Sequence, residues 1–158
     1  MTDANQLLEV CKNIPSFLGV FAADELPDRV PPGASFIVNY DEHDMDGTHW
    51  CAARFPQNGP AEWFDSYGLP PDREDIILRR RTSFRQYLAR HGGNWGFTWN
   101  KFDFQALRAN TCGEWAALFV HIGGLPDDPS VRKKWVPFMR PNVHERDRLV
   151  REVVGIRR

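Results

Sequence analysis

Residues 111–124, with the sequence TCGEWAALFVHIGG, form the stretch that decides the fold. From 112 to 122 the apolar side chains are spread nearly all round a helix of 3.6 residues per turn, which is typical of a helix buried on every side. The glycine pair at 123–124 favours a helix end at that point. The sequence therefore predicts a central buried helix, against which the rest of the chain packs.

Cys112 is a candidate nucleophile because of its place in this stretch. Thr111 and Glu114 match the S/T-x-x-E capping box, which makes Thr111 the expected N-cap and Cys112 the first helical residue. A helix start lowers the pKa of a thiol from about 8.5 toward neutrality, because the sulfur lies in a positive field and faces unpaired N–H groups. The alternative is a small buried core residue, which describes most unpaired cysteines.

Working outward, the sequence predicts an α+β domain that spans residues 1–158. The turn-rich sequence PQNGP separates two of its strands and indicates a β-hairpin. Further helices are expected at 3–13, from Pro70-Pro71 to about residue 91, and at 142–154. Strands are expected at 17–21, 35–40, 48–55, 61–65 and 95–99.

Composition excludes several classes of protein. With 158 residues, 42% of them hydrophobic, the chain fits one globular domain. No apolar run approaches 18 residues, so no membrane span is predicted, and the first ten residues do not resemble a secretory signal. The three cysteines, Cys11, Cys51 and Cys112, show no CxxC spacing. This argues against a disulfide scaffold or a zinc finger and favours a reducing compartment.

The net charge of −1 conceals an asymmetry between the halves of the chain. Residues 1–70 carry 11 acidic and 3 basic residues, a balance of −8, whereas residues 71–158 carry 10 acidic and 17 basic residues, a balance of +7. A basic half leaves nucleic acid open as a partner. The alternative is that both charged faces are merely solvated.

His49 and Asp65 lie in the two strands of the predicted hairpin. The register of the two strands decides whether these side chains are neighbours. If the residue numbers of each facing pair add up to an even number, His49 and Asp65 lie on the same face of the sheet. The carboxylate would then hold one tautomer of the imidazole, leaving the other ring nitrogen to accept a thiol proton. The alternatives are an ordinary strand histidine and a turn residue that ends a strand.

Gln105 precedes Cys112 by seven residues, in the sequence FDFQALRANTC. A side-chain amide near the nucleophile can join the backbone N–H of Cys112 in an oxyanion hole. A lone glutamine in a loop is otherwise simply solvated.

These motifs, in their order, resemble the adenain-like cysteine proteases, the family of the adenovirus protease. The resemblance rests on GTHW at 47–50, FDSYG at 64–68, Q-x₆-CG at 105–113 and FLGVF at 17–21, and it covers about residues 14–125. Proteases of SUMO and other ubiquitin-like proteins share the order His, Asp, Gln, Cys. The resemblance implies a papain-like fold, with a small mixed or antiparallel sheet and the nucleophile at the start of the central helix.

The resemblance also assigns roles to individual residues. It makes Cys112 the nucleophile, His49 the general base, Asp65 the carboxylate that orients it and Gln105 the oxyanion donor. The implied reaction is peptide hydrolysis through a thioester.

The same resemblance places substrate at two further residues. It makes Trp50 and Gly113 substrate-binding residues, with Trp50 beside a narrow groove that admits glycine-like residues at the scissile bond. Core packing is the alternative role of Trp50. The implied substrates are precursor proteins of the virion that are cleaved after short glycine-containing sequences.

Members of this family use DNA and an activating peptide, so both are expected as cofactors here, with no metal or organic cofactor. The candidate DNA contacts, which are otherwise solvated charges, are Arg79, Arg80, Arg81, Arg132, Lys133 and Lys134. The resemblance further implies a monomer in the host nucleus and the virion if the protein is viral, or else in a reducing intracellular compartment.

Three features depart from the family pattern. The chain is shorter than adenain, and Cys11 and Cys51 do not lie where the family's disulfide to the activating peptide would be placed. The charge of Glu114, two residues after the nucleophile, opposes thiolate formation unless it is paired or turned away. Two rival functions therefore stay open: removal of ubiquitin-like modifiers, and an inactive binding module on the same fold.

Overall fold

The computed structural model describes residues 2–43, 49–72 and 83–156, and within them the chain is a mixed α/β structure built on one five-stranded sheet. The α+β prediction is confirmed at this level. The helices are α1 (Ala4–Cys11), α2 (Phe84–Gly92), α3 (Cys112–Ile122), α4 (Arg132–Trp135) and α5 (Val143–Val154), with 3₁₀ turns at Gly93–Trp95 and Val136–Phe138. The strands are β1 (Phe17–Phe21), β2 (Ala34–Asn39), β3 (Trp50–Phe55), β4 (Ala61–Phe64) and β5 (Phe97–Trp99).

The strands lie in the sheet in their order along the chain. β2, β3 and β4 are antiparallel, while β1 joins β2 and β5 joins β4 in parallel. The predicted hairpin is therefore the centre of the sheet. Because successive side chains of a strand point to opposite faces, this sheet has two apolar surfaces to cover.

Each face of the sheet has its own hydrophobic core. On one face Ile37, Ala52 and Phe64 pack with the apolar side chains of α3. On the other face Phe36 and Trp63 pack with α2. Both faces are thus covered by helices, which explains why β2 is buried along its whole length.

The central helix forms where the sequence predicts it. Ten of the eleven residues of α3 are buried, and His121 is the exception. Gly123 ends the helix in the left-handed conformation with φ of 83°, and its N–H donates to Phe119 O. The buried central helix is confirmed.

The predicted capping box is wrong. Thr111 is the N-cap residue, but its side chain makes no capping hydrogen bond. Its hydroxyl donates instead to Asp147 Oδ1 at 2.7 Å, and Glu114 accepts from Thr2 Oγ1 at 3.0 Å. Both side chains are taken by long-range partners, which a local motif does not reveal.

Part of the helix predicted from Pro70-Pro71 to about residue 91 falls on residues 73–82, which lie outside the described ranges. The described helix, α2, begins at Phe84, with Ser83 as N-cap. The carboxylate of Asp72 accepts hydrogen bonds from the N–H groups of Phe84 and Arg85. Asp72 therefore supplies a negative charge at the amino end of α2 from twelve positions before Phe84 in the chain.

The strand predicted at 95–99 is shorter than expected. Gly93 and Gly96 adopt positive φ angles of 57° and 67° on either side of a 3₁₀ turn, so β5 begins only at Phe97. No helix in the described parts of the chain has the length and apolar character needed to cross a membrane.

Candidate active site

The pairing of β3 with β4 brings His49 to Asp65. Ala52 faces Phe64 and Ala53 faces Trp63, so facing residues have numbers with an even sum. This is the register that places the two candidate residues on one face. His49 Nε2 lies 3.1 Å from Asp65 Oδ1, and both residues are buried.

Asp65 is held in place by hydrogen bonds on both its backbone and its carboxylate. Tyr67 N–H donates to Oδ1 at 2.8 Å, and the Tyr40 hydroxyl lies 3.4 Å from Oδ2. Asn100 accepts from Asp65 N–H at 2.9 Å and donates to Asp65 O at 2.7 Å. The orientation of the carboxylate is thus fixed by three neighbours.

Two tyrosine rings enclose the imidazole of His49. Tyr40 stacks on it with centroids 5.5 Å apart, and Tyr67 stacks on it at 5.3 Å. Neither tyrosine is among the site residues predicted from the sequence. The position of Tyr67 could have been predicted from the hairpin register. The residue numbers 49 and 67 have the same sum as those of the facing pairs, such as Ala52 and Phe64, so Tyr67 is expected to face His49.

The structure shows why the last residue of the FDSYG motif, Gly68, is a glycine. Its φ is +71°, and a Cβ at this position would lie 3.0 Å from the carbonyl oxygens of Lys101 and Phe102. The close approach requires glycine. It brings the segment that carries Asn100 and Gln105 against the end of β4.

Cys112 is the first residue of α3 and is 4% exposed. Its side chain is close enough to the His49 ring to raise the pKa of that histidine, and the same ring contacts Asp65. The structure therefore brings three of the four predicted catalytic residues together. They come from the residue after β4, from the residue before β3, and from the amino end of α3.

The electrostatic surroundings favour a charged imidazole. Burial alone would lower the pKa of His49, but Cys51, Asp65 and Cys112 all interact with the ring and outweigh burial. The pKa of His49 consequently lies well above its usual value. A positively charged ring beside a thiol is the arrangement that stabilises a thiolate.

Cys51 belongs to this cluster although the sequence analysis left it as a packing residue. It lies two positions after His49 in the strand and so on the same face of the sheet. Burial raises the pKa of its thiol to about 12, which keeps Cys51 neutral. Cys51 is therefore a poor nucleophile, in contrast to the position of Cys112 at a helix start.

The donor atoms of His49, Cys51 and Asp65 all lie within 4.8 Å of one another. Nitrogen, sulfur and oxygen donors in this number suit a zinc ion. The sequence analysis expected no metal, and the spacing of these residues resembles no common zinc motif. An ion bound here would occupy the atoms that otherwise link the histidine to the aspartate.

Gln105 is held next to the same segment. Its Oε1 accepts from Ser66 Oγ, and its Nε2 donates to Ala109 O at 2.6 Å. A side-chain amide has two N–H donors, so one remains beyond the bond to Ala109. The oxyanion role of Gln105 stays a prediction.

The two predicted substrate-binding residues lie side by side. A Cβ on Gly113 would be 3.3 Å from Trp50 Cδ1 and 3.0 Å from Thr2 Cβ. Trp50 Nε1 donates to Thr2 O at 2.7 Å, and the Thr2 hydroxyl donates to Glu114. Glu114 Oε1 therefore accepts a hydrogen bond from Thr2, which ties the start of α3 to the residues before α1.

Asp147 is a positioning residue that the sequence analysis missed. It is buried in α5 and its Oδ1 accepts from Thr111 Oγ1 and Trp115 Nε1, while its Oδ2 accepts from Ala106 N–H. One carboxylate thus connects the start of α3 to the loop of Gln105. No local signal marks a residue whose partners lie more than 30 positions away.

Of the candidate DNA contacts, Arg132, Lys133 and Lys134 form the exposed part of α4. Arg79, Arg80 and Arg81 lie outside the described residues. The three basic side chains of α4 form one local positive surface.

No protein-family model and no curated protein matches the chain. Among solved structures it is similar to the central domain of the uncharacterized Lpg1148 protein from Legionella pneumophila, with 13% sequence identity and a TM-score of 0.44. The similarity covers 98% of this chain and 93% of that chain. Function is accordingly argued from the geometry of the site.

Proposed function

We propose that the chain is a cysteine endopeptidase of the adenain type, with a papain-like fold, that cleaves proteins after short glycine-containing sequences. One observation carries the proposal: the buried His49 interacts with Asp65 through one ring nitrogen and also with Cys112 at the start of α3. A nucleophile, a base and a group that orients the base are the three parts that covalent hydrolysis of a peptide requires.

The reaction begins with a proton transfer. Because His49 Nε2 faces Asp65, Nδ1 is the nitrogen left to accept the proton of Cys112 Sγ. The thiolate attacks the carbonyl carbon of the scissile peptide and forms a tetrahedral intermediate. His49 then donates its proton to the departing amine, the C–N bond breaks, and a thioester to Cys112 remains.

Hydrolysis of the thioester completes the cycle. His49 accepts a proton from water as the water oxygen attacks the thioester carbonyl. The C–S bond breaks, the acid product leaves, and the proton returns to the sulfur. Asp65 stays ionised throughout and keeps the imidazole in one tautomer and one orientation.

The negative oxygen of each tetrahedral intermediate needs hydrogen-bond donors. The first N–H groups of a helix have no partner within the helix, so the backbone N–H of Cys112 is suited to this role. The second donor we assign is the remaining Nε2–H of Gln105. Removing one such donor typically lowers kcat by about 10²–10³.

Substrate selection is assigned to the surface around Trp50 and Gly113. A glycine at position 113 leaves no side chain between the nucleophile and Trp50, and the distances there are already at contact. The family resemblance, in which Trp50 borders a narrow groove, is what assigns to this surface a preference for substrate residues without side chains beside the scissile bond. Precursor proteins of a virus particle are the substrates that the family resemblance adds to this proposal.

The proposal is tested with acetylated peptides that contain Gly-X-Gly or Gly-Gly, incubated with the wild type, Cys112→Ala, His49→Ala and the control Cys11→Ala. Cys11 is buried in α1, and burial raises the pKa of its thiol to about 12. We expect cleavage by the wild type and by Cys11→Ala, and none by the other two, as followed by mass spectrometry.

Cleavage that persists in Cys112→Ala would contradict the assigned nucleophile. Absence of cleavage by the wild type, with and without added DNA, would contradict the proposed activity. Cleavage of a folded SUMO fusion in place of the peptides would assign the chain to the modifier peptidases instead.

A further inference from the structure

A cavity of about 420 Å³ opens beside Trp50 and is lined by acidic side chains. We infer that it is a substrate subsite that binds a cationic side chain, a lysine or an arginine, close to the scissile bond. The inference rests on the proposed peptidase function and adds a substrate class to it.

Asp41 is the residue that points to a cationic ligand. It lines the cavity, and it is 6% exposed. Its backbone is fixed, because its N–H donates to Asn39 Oδ1 and its carbonyl accepts from Ala23 N–H. Its carboxylate has no hydrogen-bond or ion-pair partner within residues 2–43, 49–72 and 83–156.

Asp41 is buried as a residue, but its carboxylate oxygens are not among the fully buried, unpartnered polar atoms of the described residues, so they are open to solvent on the side of the cavity that Asp41 lines. A lysine ammonium or an arginine guanidinium in the cavity would supply the missing partner. Charge-assisted hydrogen bonds of this kind are about twice as strong as neutral ones. The unpaired state of Asp41 is thus what a cation-binding subsite requires before the substrate arrives.

The other lining residues suit the same ligand. Asp3 and Glu25 add negative charge, and each uses one carboxylate oxygen to accept a backbone N–H. Val20, Phe21 and Trp50 supply apolar surface. Apolar walls accommodate the methylene stem of a lysine or arginine, and the indole of Trp50 attracts a cation to its face.

The position of the cavity connects it to the catalytic residues. Asn39 in β2 faces Trp50 in β3, so the end of β2 that leads to Asp41 runs beside the strand that follows His49. Trp50 also contacts the position of Gly113, next to Cys112. A peptide on Trp50 therefore reaches both the nucleophile and the cavity.

Binding is measured by fluorescence anisotropy with labelled, acetylated Gly-Gly peptides that carry either lysine or norleucine at each position before the glycines. The protein is Cys112→Ala, which binds without cleaving. It is compared with Cys112→Ala/Asp41→Asn and with the control Cys112→Ala/Asp28→Asn, because Asp28 is an exposed acid of the same half of the chain that does not line the cavity.

At one position we expect lysine to bind about tenfold more tightly than norleucine, a ratio that corresponds to about 1.4 kcal/mol. Asp41→Asn should remove the preference, and Asp28→Asn should keep it. A cooperative unfolding transition of Asp41→Asn, with a midpoint close to that of the wild type, should show that the variant is folded. Glu25→Gln, at the rim, should reduce the preference in part.

Two results would overturn the subsite: no preference for lysine at any position, or a preference that survives Asp41→Asn. Competition by calcium ion in the absence of any lysine preference would also overturn it and assign the cavity to a metal ion. The proposed function fails separately: a lysine preference in binding without cleavage by the wild type would leave the subsite standing and refute the peptidase.

Discussion

Among the individual residues of the proposed site, His49 contacts both the acid, Asp65, and the nucleophile, Cys112, so its protonation state is central to the proposed reaction. Its ring is buried between Tyr40 and Tyr67, and its pKa is raised well above the usual value despite that burial. In the proposed mechanism this ring accepts and donates the proton at each step. The pH dependence of cleavage is therefore expected to report on His49.

Asp65→Asn should shift that dependence. The hydrogen bond with Asp65 raises the pKa of His49, so its weakening lowers that pKa, and we expect the alkaline limit of kcat/KM to move to lower pH. Measurement of kcat/KM against pH for the wild type and Asp65→Asn checks this. An unchanged alkaline limit would contradict the role of Asp65.

The free energy of unfolding should also depend on the protonation of His49. The folded pKa of His49 is raised above the unfolded value of about 6.5, so the folded state holds its proton more tightly. The resulting stabilisation is fully present below about pH 6.5 and is lost as pH rises through the folded pKa. The free energy of unfolding from urea titrations should fall with pH over this range, and more steeply for the wild type than for Asp65→Asn.

At the residue scale, part of the site could be predicted from the sequence. His49 and Asp65 could be predicted because, in a hairpin with a short turn, odd and even residue numbers show which side chains share a face of the sheet. The observed register confirms this prediction. The same rule could have found Tyr67 and Cys51. The hydrogen bonds of Gln105 to Ser66 and Ala109 depend on loop geometry, which residue spacing does not encode.

At the scale of elements, the start of α3 is positioned by a helix that follows it in the chain. Asp147 in α5 accepts hydrogen bonds from Thr111, Trp115 and Ala106. The sequence indicated local capping by Glu114, and the structure corrects this. Short-range motifs predict where a helix begins better than they predict which side chain satisfies its first turn, because the latter depends on tertiary packing.

Asp147→Ala would leave three buried donors without an acceptor. At about 1–3 kcal/mol for each unsatisfied group, we expect a loss of roughly 3 kcal/mol or more in the free energy of unfolding. Urea titration measures it, with the exposed neighbour Arg148→Ala as a control that should stay within about 0.5 kcal/mol of the wild type. A loss for Asp147→Ala as small as that of the control would contradict the role assigned to this carboxylate.

At the scale of the whole molecule, the sequence predicted the five strands and every described helix except the short α4, but not the full order of strand pairing. The antiparallel hairpin followed from a short turn, whereas the parallel pairs of β1 with β2 and of β4 with β5 join segments across longer connections. β1 packs against α1, while β4 and β5 pack against α2, and no local pattern in the sequence encodes these contacts. The α+β class could be predicted because it depends only on the presence of both kinds of element.

The basic half of the chain supports a prediction about DNA. Arg132, Lys133 and Lys134 are exposed together on α4, in the half with a balance of +7. If these side chains contact phosphates, their combined replacement by glutamine should weaken binding to duplex DNA and reduce the slope of log affinity against log salt by up to about 0.9 per contact.

Fluorescence anisotropy with a labelled duplex, over a range of sodium chloride concentrations, measures this effect. Arg29→Gln, in the acidic half, is the control and should leave the slope unchanged. No binding at low salt, or an affinity that does not depend on salt, would contradict a DNA cofactor.

The central claim is that Cys112, activated by His49, is the nucleophile. It is tested most directly by reacting the native protein with a Gly-Gly peptide that ends in a vinyl methyl ester, followed by intact and peptide mass spectrometry. We expect one adduct, on Cys112, that is absent in His49→Ala. An adduct on Cys11 or Cys51, or no adduct on Cys112 with or without DNA, would contradict the claim.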